Sequence, residues 1–126
     1  MHDMLSAHPD PVKDPAAVAA AIEALNACAA HCRSCADACL AEDSVADMRD
    51  CIRLDLECAD ICAATAAVLA GSSGSHAARV GLIAVCVEVC DACSKECSSH
   101  SDHHEHCALC AEACARCAEA CRSLLS

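Results

Sequence analysis

Along this chain small and apolar residues recur in alternating steps of three and four, with Asp, Glu, Arg and Ser on the remaining faces. That is the pattern of helices packed in a bundle. Capping signals divide it into four. Asp14-Pro15 sets a capping side chain before a proline at the first helical position, so a first helix is expected from about Pro15 to Ala41. Ser44, with Asp47 three residues on, resembles a capping box, and Gly71 offers a stop, which places a second helix from about Val45 to Ala70. Gly71-Ser72-Ser73-Gly74-Ser75 reads as a flexible linker, and Ser75 can cap a third helix from about His76 to Ser99. Asp102, followed three residues later by Glu105, can open a fourth helix that runs to about Leu124. Connections this short force successive helices antiparallel, so the expected fold is all-α, an up-down-up-down four-helix bundle. Residues 1–14, polar and interrupted by Pro9 and Pro11, are expected to be a flexible N-terminal arm, with 15–126 forming the bundle.

What fills the seam is unusual. The chain has 126 residues, enough to bury a real core, yet it contains no Phe, Tyr or Trp and has 16 cysteines. The first helix carries Cys28, Cys32, Cys35 and Cys39, and the third carries Cys86, Cys90, Cys93 and Cys97. Both read Cys-x3-Cys-x2-Cys-x3-Cys. The fourth extends the step through Cys107, Cys110, Cys114, Cys117 and Cys121. The second keeps it with Cys51, Cys58 and Cys62, and places Asp55 where the pattern would put a cysteine. A step that averages about 3.5 residues faces the bundle axis, so the thiols are predicted to line a central tube.

An inert core would use Leu, Ile and Val, which bury more area per residue than Cys. Disulfides within one helix are disfavoured, because residues three or four apart hold their Cβ atoms roughly 5–6 Å apart and a disulfide spans about 3.5–4.5 Å. The N-terminus has no basic start followed by an apolar run, so a reducing, cytoplasmic location is expected, where clustered thiols are metal ligands or redox groups. Charged residues break the apolar stretches, and no transmembrane helix is expected. A formal net charge of -11 argues against nucleic acid and anionic membrane as partners.

Stacked by register, the helices give four expected layers: Cys28, Cys62, Cys86 and Cys121; Cys32, Cys58, Cys90 and Cys117; Cys35, Asp55, Cys93 and Cys114; Cys39, Cys51, Cys97 and Cys110. Beyond the first layer Leu25, Leu69, Ile83 and Leu124, with Ile22 and Leu125 nearby, are expected to plug one end. Beyond the last layer lie Met48, His100 and Cys107, with His103, His104 and His106 in the adjoining turn, so soft and borderline ligands gather at the other end.

Thiolates and thioethers select Cu(I), zinc or iron-sulfur clusters. Sixteen thiolates are neutralised by about sixteen Cu(I) ions, whereas four separate tetrathiolate zinc sites leave about eight negative charges in a low-dielectric core. Iron-sulfur ligands usually wrap a cluster from loops rather than run along helices. A metal satisfied by two thiolates therefore suits the ladder best, and a zinc or mixed-metal thiolate sink of metallothionein-like role is the alternative. No Ser-His-Asp or Cys-His pair stands out, and no strand is predicted before a Cys-x2-Cys step, so an enzyme is not expected.

Over nearly the whole chain, from Pro15 to Ser126, these repeated cysteine helices, together with His100-x3-His104-x-His106, resemble the bacterial copper storage proteins of the cysteine-rich four-helix-bundle type. Without an export signal the likeness is to their cytosolic branch. The resemblance implies storage of many Cu(I) ions by inward-facing cysteines, a homotetramer, and histidines that help copper pass at the open end. It leaves Asp55 as a ligand, a polar gate or a hydrogen-bond acceptor. His2, Met4 and His8 belong to the arm, and His31 and His76 to the surface.

Overall fold

Asp14 caps as expected: its carboxylate accepts a hydrogen bond from the Ala17 backbone N–H at 3.1 Å, and Pro15 starts the helix. The computed structural model describes residues 1–71 and 74–125. In chain order it has α1 (His2–Ser6), α2 (Pro15–Leu40), a 3-10 turn (Val45–Met48), α3 (Arg49–Leu69), α4 (His76–Ser98) and α5 (Glu105–Ser123). Helices α2 and α4 each pack against both α3 and α5, which makes the square section of an antiparallel four-helix bundle.

Local signals account for most of the boundaries. The Ser75 hydroxyl accepts from Ala78 N–H at 3.3 Å and opens α4. Ser44 makes no side-chain cap, and the stretch that its capping box was expected to begin starts instead as the 3-10 turn, becoming α-helical at Arg49. Asp102 does not cap α5. The His100 carbonyl takes the N–H groups of both His103 and His104, so the end of α4 winds into a turn that carries the chain past Asp102, and α5 begins after His104. Gly71 follows α3 without positive φ. Near the end of α3 the Val68 carbonyl accepts from Gly71 N–H at 3.2 Å and from Arg79 of α4 at 3.3 Å, and Arg79 also donates to Gly71 O just beyond the helix. The linker expected at Gly71 to Ser75 lies partly outside the described residues.

Residues 1–14, expected as a loose arm, contain α1, which packs against α2 and buries Leu5 to 2 % exposure. Burial of that apolar side chain in the core cluster gives the segment a reason to dock. By length and composition α2 is apolar enough to cross a membrane, contrary to expectation, although its apolar character comes largely from Ala and Cys and its Cys face lies in the bundle.

The plugged end is present. Ile22, Leu25, Leu69 and Ile83 are buried, joined by Val18, while Leu124 is half-buried and Leu125 stays exposed. Two ion pairs tie neighbouring helices on the outside, Arg33 to Asp60 at 3.2 Å and Arg122 to Asp91. Exposed pairs of this kind add little to stability.

Candidate metal centre

Every one of the 16 cysteines is a free thiol and is buried. They converge from α2, α3, α4 and α5 on the axis. Between helices, Cys32 lies 3.5 Å from Cys114, Cys62 3.5 Å from Cys90, Cys51 3.5 Å from Cys97, and Cys58 3.7 Å from Cys90. Along one helix, Cys58 and Cys62 are 3.8 Å apart, as the four-residue step allows. Sets of four donors fall within 4.8 Å of one another, among them Cys28, Cys62, Cys90 and Cys117; Cys28, Cys32, Cys58 and Cys114; and Cys35, Cys39, Cys51 and Cys107.

The layers are staggered rather than flat. Between α3 and α4 the expected pairs meet, with Cys62 at 3.7 Å from Cys86 and Cys51 beside Cys97. Between α2 and α5 they do not. Cys28, expected level with Cys121, is 3.6 Å from Cys114, and Cys35, expected with Cys114, is 3.9 Å from Cys107. Against the flat stack, the α2–α5 register is displaced by seven residues, about two helical turns.

Asp55 is fully buried among thiols. Its Oδ1 accepts from Cys93 at 3.2 Å, Cys110 at 3.3 Å and Cys97 at 3.4 Å, and Oδ2 accepts from Cys51 at 3.9 Å. The carboxylate accepts hydrogen bonds here, and it also falls within one four-donor set with Cys35, Cys51 and Cys97. Burial, and then the neighbouring Cys110 and Cys51 sulfurs, push its carboxyl up from 3.8 to about 8. The thiols divide in the same network. Bonds from Cys35 and then Cys97 draw Cys51 down to about 3, and bonds led by Cys114 also lower Cys28 and Cys110. Cys107 is raised to about 11 chiefly by burial, and Cys93 to about 11 chiefly by its bond to Cys110. So dense a group of acids keeps protons between its sulfurs until cations replace them.

The histidines predicted at the open end separate into two kinds. His100 Nε2 lies 2.9 Å from Glu96 Oε2 on its own helix. His104 Nδ1 pairs with Glu42 Oε2, and its ring stacks on His106 with centroids 5.4 Å apart. Among the described residues, His106 is the histidine that reaches the thiols: its Nδ1 is 3.4 Å from Cys35 Sγ and 3.5 Å from Cys107 Sγ, while Nε2 lies 3.2 Å from Glu42. Met48 is buried next to this end, one turn before Cys51. His31 binds its own helix at Ala27 O, 2.8 Å away, outside the tube. Glu42 was missed from the sequence, although it follows Cys35 and Cys39 in the same four-then-three step.

A family model described as copper storage protein matches residues 14–126. This chain belongs to the copper storage protein family. It is similar to the copper storage protein Ccsp from Streptomyces lividans, solved with 10 copper equivalents, at 45 % identity and TM-score 0.94 over 98 % of this chain and 96 % of that one. Apo copper storage protein 3 from Bacillus subtilis aligns at 40 % identity and TM-score 0.74, covering 86 % of this chain and 98 % of that one. An uncharacterized cysteine-rich protein, YhjQ, of Bacillus subtilis (strain 168) is 45 % identical over 105 residues, 83 % of this chain and 93 % of the relative.

In this copper storage protein the sulfur spacing already suits metal. A metal–thiolate bond of about 2.3 Å places sulfurs about 3.8 Å apart around a tetrahedral ion and about 4.0 Å apart around a trigonal one. Cys58 and Cys62 at 3.8 Å and Cys93 and Cys97 at 4.0 Å match these two values, whereas an ion held linearly by two thiolates would span about 4.6 Å. Such spacing admits a metal ion between neighbouring sulfurs.

Proposed function

We propose that this protein stores Cu(I) in the cytoplasm, each chain holding many ions on the 16 inward-facing thiolates and keeping them from harmful chemistry, without catalysis. The observation that carries the reading is the convergence of 16 free, buried sulfurs from four helices onto one axis at metal-bridging distances. A monovalent cation per thiolate leaves the core neutral, and soft sulfur favours Cu(I) over harder ions. The relatives solved with copper support the same choice. A homotetramer is proposed from the family resemblance, and the cytoplasmic location draws on a Streptomyces lividans neighbour described as cytosolic.

Within this proposal Cys28, Cys32, Cys35, Cys39, Cys51, Cys58, Cys62, Cys86, Cys90, Cys93, Cys97, Cys107, Cys110, Cys114, Cys117 and Cys121 are the ligands. Asp55 contributes an oxygen among them. Met48, His100, His104 and His106 serve the end at which copper passes. Support for that end comes from His106, whose Nδ1 touches two thiols while its ring remains partly exposed, and from the aliphatic plug at the opposite end.

Anaerobic titration with Cu(I) and with Zn(II), each against a competing chelator, tests the metal. The expected result is tight uptake of about one Cu(I) per thiol. Tight uptake of several Zn(II) with weak copper binding would establish the zinc sink instead, which the sulfur spacing also accommodates. Replacing His100, His104 and His106 together should slow copper transfer more than it lowers capacity, and unchanged transfer rates would place the entrance elsewhere.

A further inference from the structure

We infer that Glu42 is a positioning residue for copper uptake: its carboxylate fixes His106 in the one tautomer that turns a ring lone pair toward the Cys35 and Cys107 sulfurs. The inference rests on reading this end as the entrance.

Glu42 stands just after α2 and is itself held at both backbone ends, its N–H donating to Cys39 O at 3.2 Å and its C=O accepting from Val45 N–H at 3.2 Å. From that fixed position Oε2 takes His104 Nδ1 and, at 3.2 Å, His106 Nε2, from a residue 64 positions away in sequence. The carboxylate side chain is 31 % exposed, so water only partly competes for it. An ionised carboxylate accepts and does not donate. The proton of neutral His106 therefore sits on Nε2, and Nδ1 keeps its lone pair. That lone pair is the atom facing Cys35 at 3.4 Å and Cys107 at 3.5 Å.

An imidazole that ligates a metal commonly donates its other N–H to a carboxylate, which fixes the ring and raises its basicity. Here the arrangement exists before any metal arrives. A Cu(I) ion reaching Nδ1 finds a nitrogen ligand beside two sulfurs, and it can leave the nitrogen for the thiols without a long displacement. Without Glu42, the ring is free to carry its proton on Nδ1 or to turn over, and it then offers the incoming cation an N–H instead of a ligand. His104, stacked on His106 and bonded to the same oxygen, limits rotation of the ring from the other side.

The test follows transfer of Cu(I) from its bathocuproine disulfonate complex to the full-length apo-protein without oxygen, reading both rate and final capacity. Glu42→Ala should slow uptake about tenfold, the lower end of effects seen when such supporting partners are lost, with capacity unchanged. Glu42→Gln, whose amide oxygen can still accept from Nε2–H, should recover part of the rate. Glu42→Ala combined with His106→Ala should be no slower than His106→Ala alone. The ring 15N shifts of His106 should report the Nε2–H tautomer in the unaltered protein and a mixture in Glu42→Ala, a readout that a general loss of stability would not produce. If His106→Ala slows uptake while Glu42→Ala does not, the positioning role is wrong and the entrance reading survives. If the double variant is slower than His106→Ala by the full Glu42 factor, Glu42 acts through its own charge and the inference is overturned. If His106→Ala takes up copper at the normal rate, the entrance reading itself falls, and this inference with it.

Discussion

Replacing Asp55 with asparagine should make the apo-protein progressively more stable than its parent as pH rises from 5 to 7.5. In the folded chain the carboxyl is held at about 8, against 3.8 when free, because it is buried and surrounded by sulfur. Between those values the folded state keeps a proton that the unfolded chain has released. Stability then falls as pH rises, because the folded state binds more protons than the unfolded one. The contribution is fully present below the unfolded value and is lost by the time pH passes the folded one. Each unit of pH inside that window is worth about 1.4 kcal/mol, so from pH 5 to 7.5 the parent should lose about 3 kcal/mol that the asparagine variant does not. For a chain of this size that corresponds to a difference in Tm of about 10 °C. Asparagine keeps an oxygen able to accept from Cys93, Cys97 or Cys110, so the comparison removes the charge and leaves the shape. The assay is thermal unfolding followed by circular dichroism, on apo-protein kept reduced and metal-free, at several pH values. Histidines and surface carboxylates titrate in both proteins and cancel in the difference. A difference that stays flat from pH 5 to 7.5 would refute the argument, because Asp55 would then titrate as though it were in water.

Leu25→Ala, at a fully buried plug position, should cost about 2–5 kcal/mol in apo unfolding while leaving copper capacity intact below the lowered Tm; a matching loss of capacity would mean that the plug shapes the metal sites. Cys90→Ala removes a sulfur that lies 3.5 Å from Cys62 and 3.7 Å from Cys58, and should lower capacity by about one ion; metal analysis that showed loss of all binding would argue for one indivisible cluster instead of a distributed store. The apo-protein should be helical before metal is added, since its caps, alanines and plug are independent of copper, and a far-ultraviolet spectrum of coil that folds only on titration would contradict this.

The cysteine spacing by itself determined the fold class and the inward direction of every thiol, because a step averaging about 3.5 residues is a local property of each helix and can face only one side. Asp14 and Ser75 likewise set their helix starts through bonds from residues three positions away, and Pro15 helps by its fixed φ at the first helical position. The axial register was not local. It depends on how four helices nest together, so Cys28 came to lie against Cys114 instead of Cys121. The start of α5 was displaced from Asp102 because the end of α4 winds into the turn before it. Which thiols Asp55 meets could not be read from its place in the pattern, since its partners come from three different helices. Glu42 lay on the cysteine step all along, yet only tertiary structure brought its carboxylate to His104 and His106. Periodicity tells which way a side chain points, whereas what it meets depends on the relative sliding of helices, and that is decided by all of their contacts together.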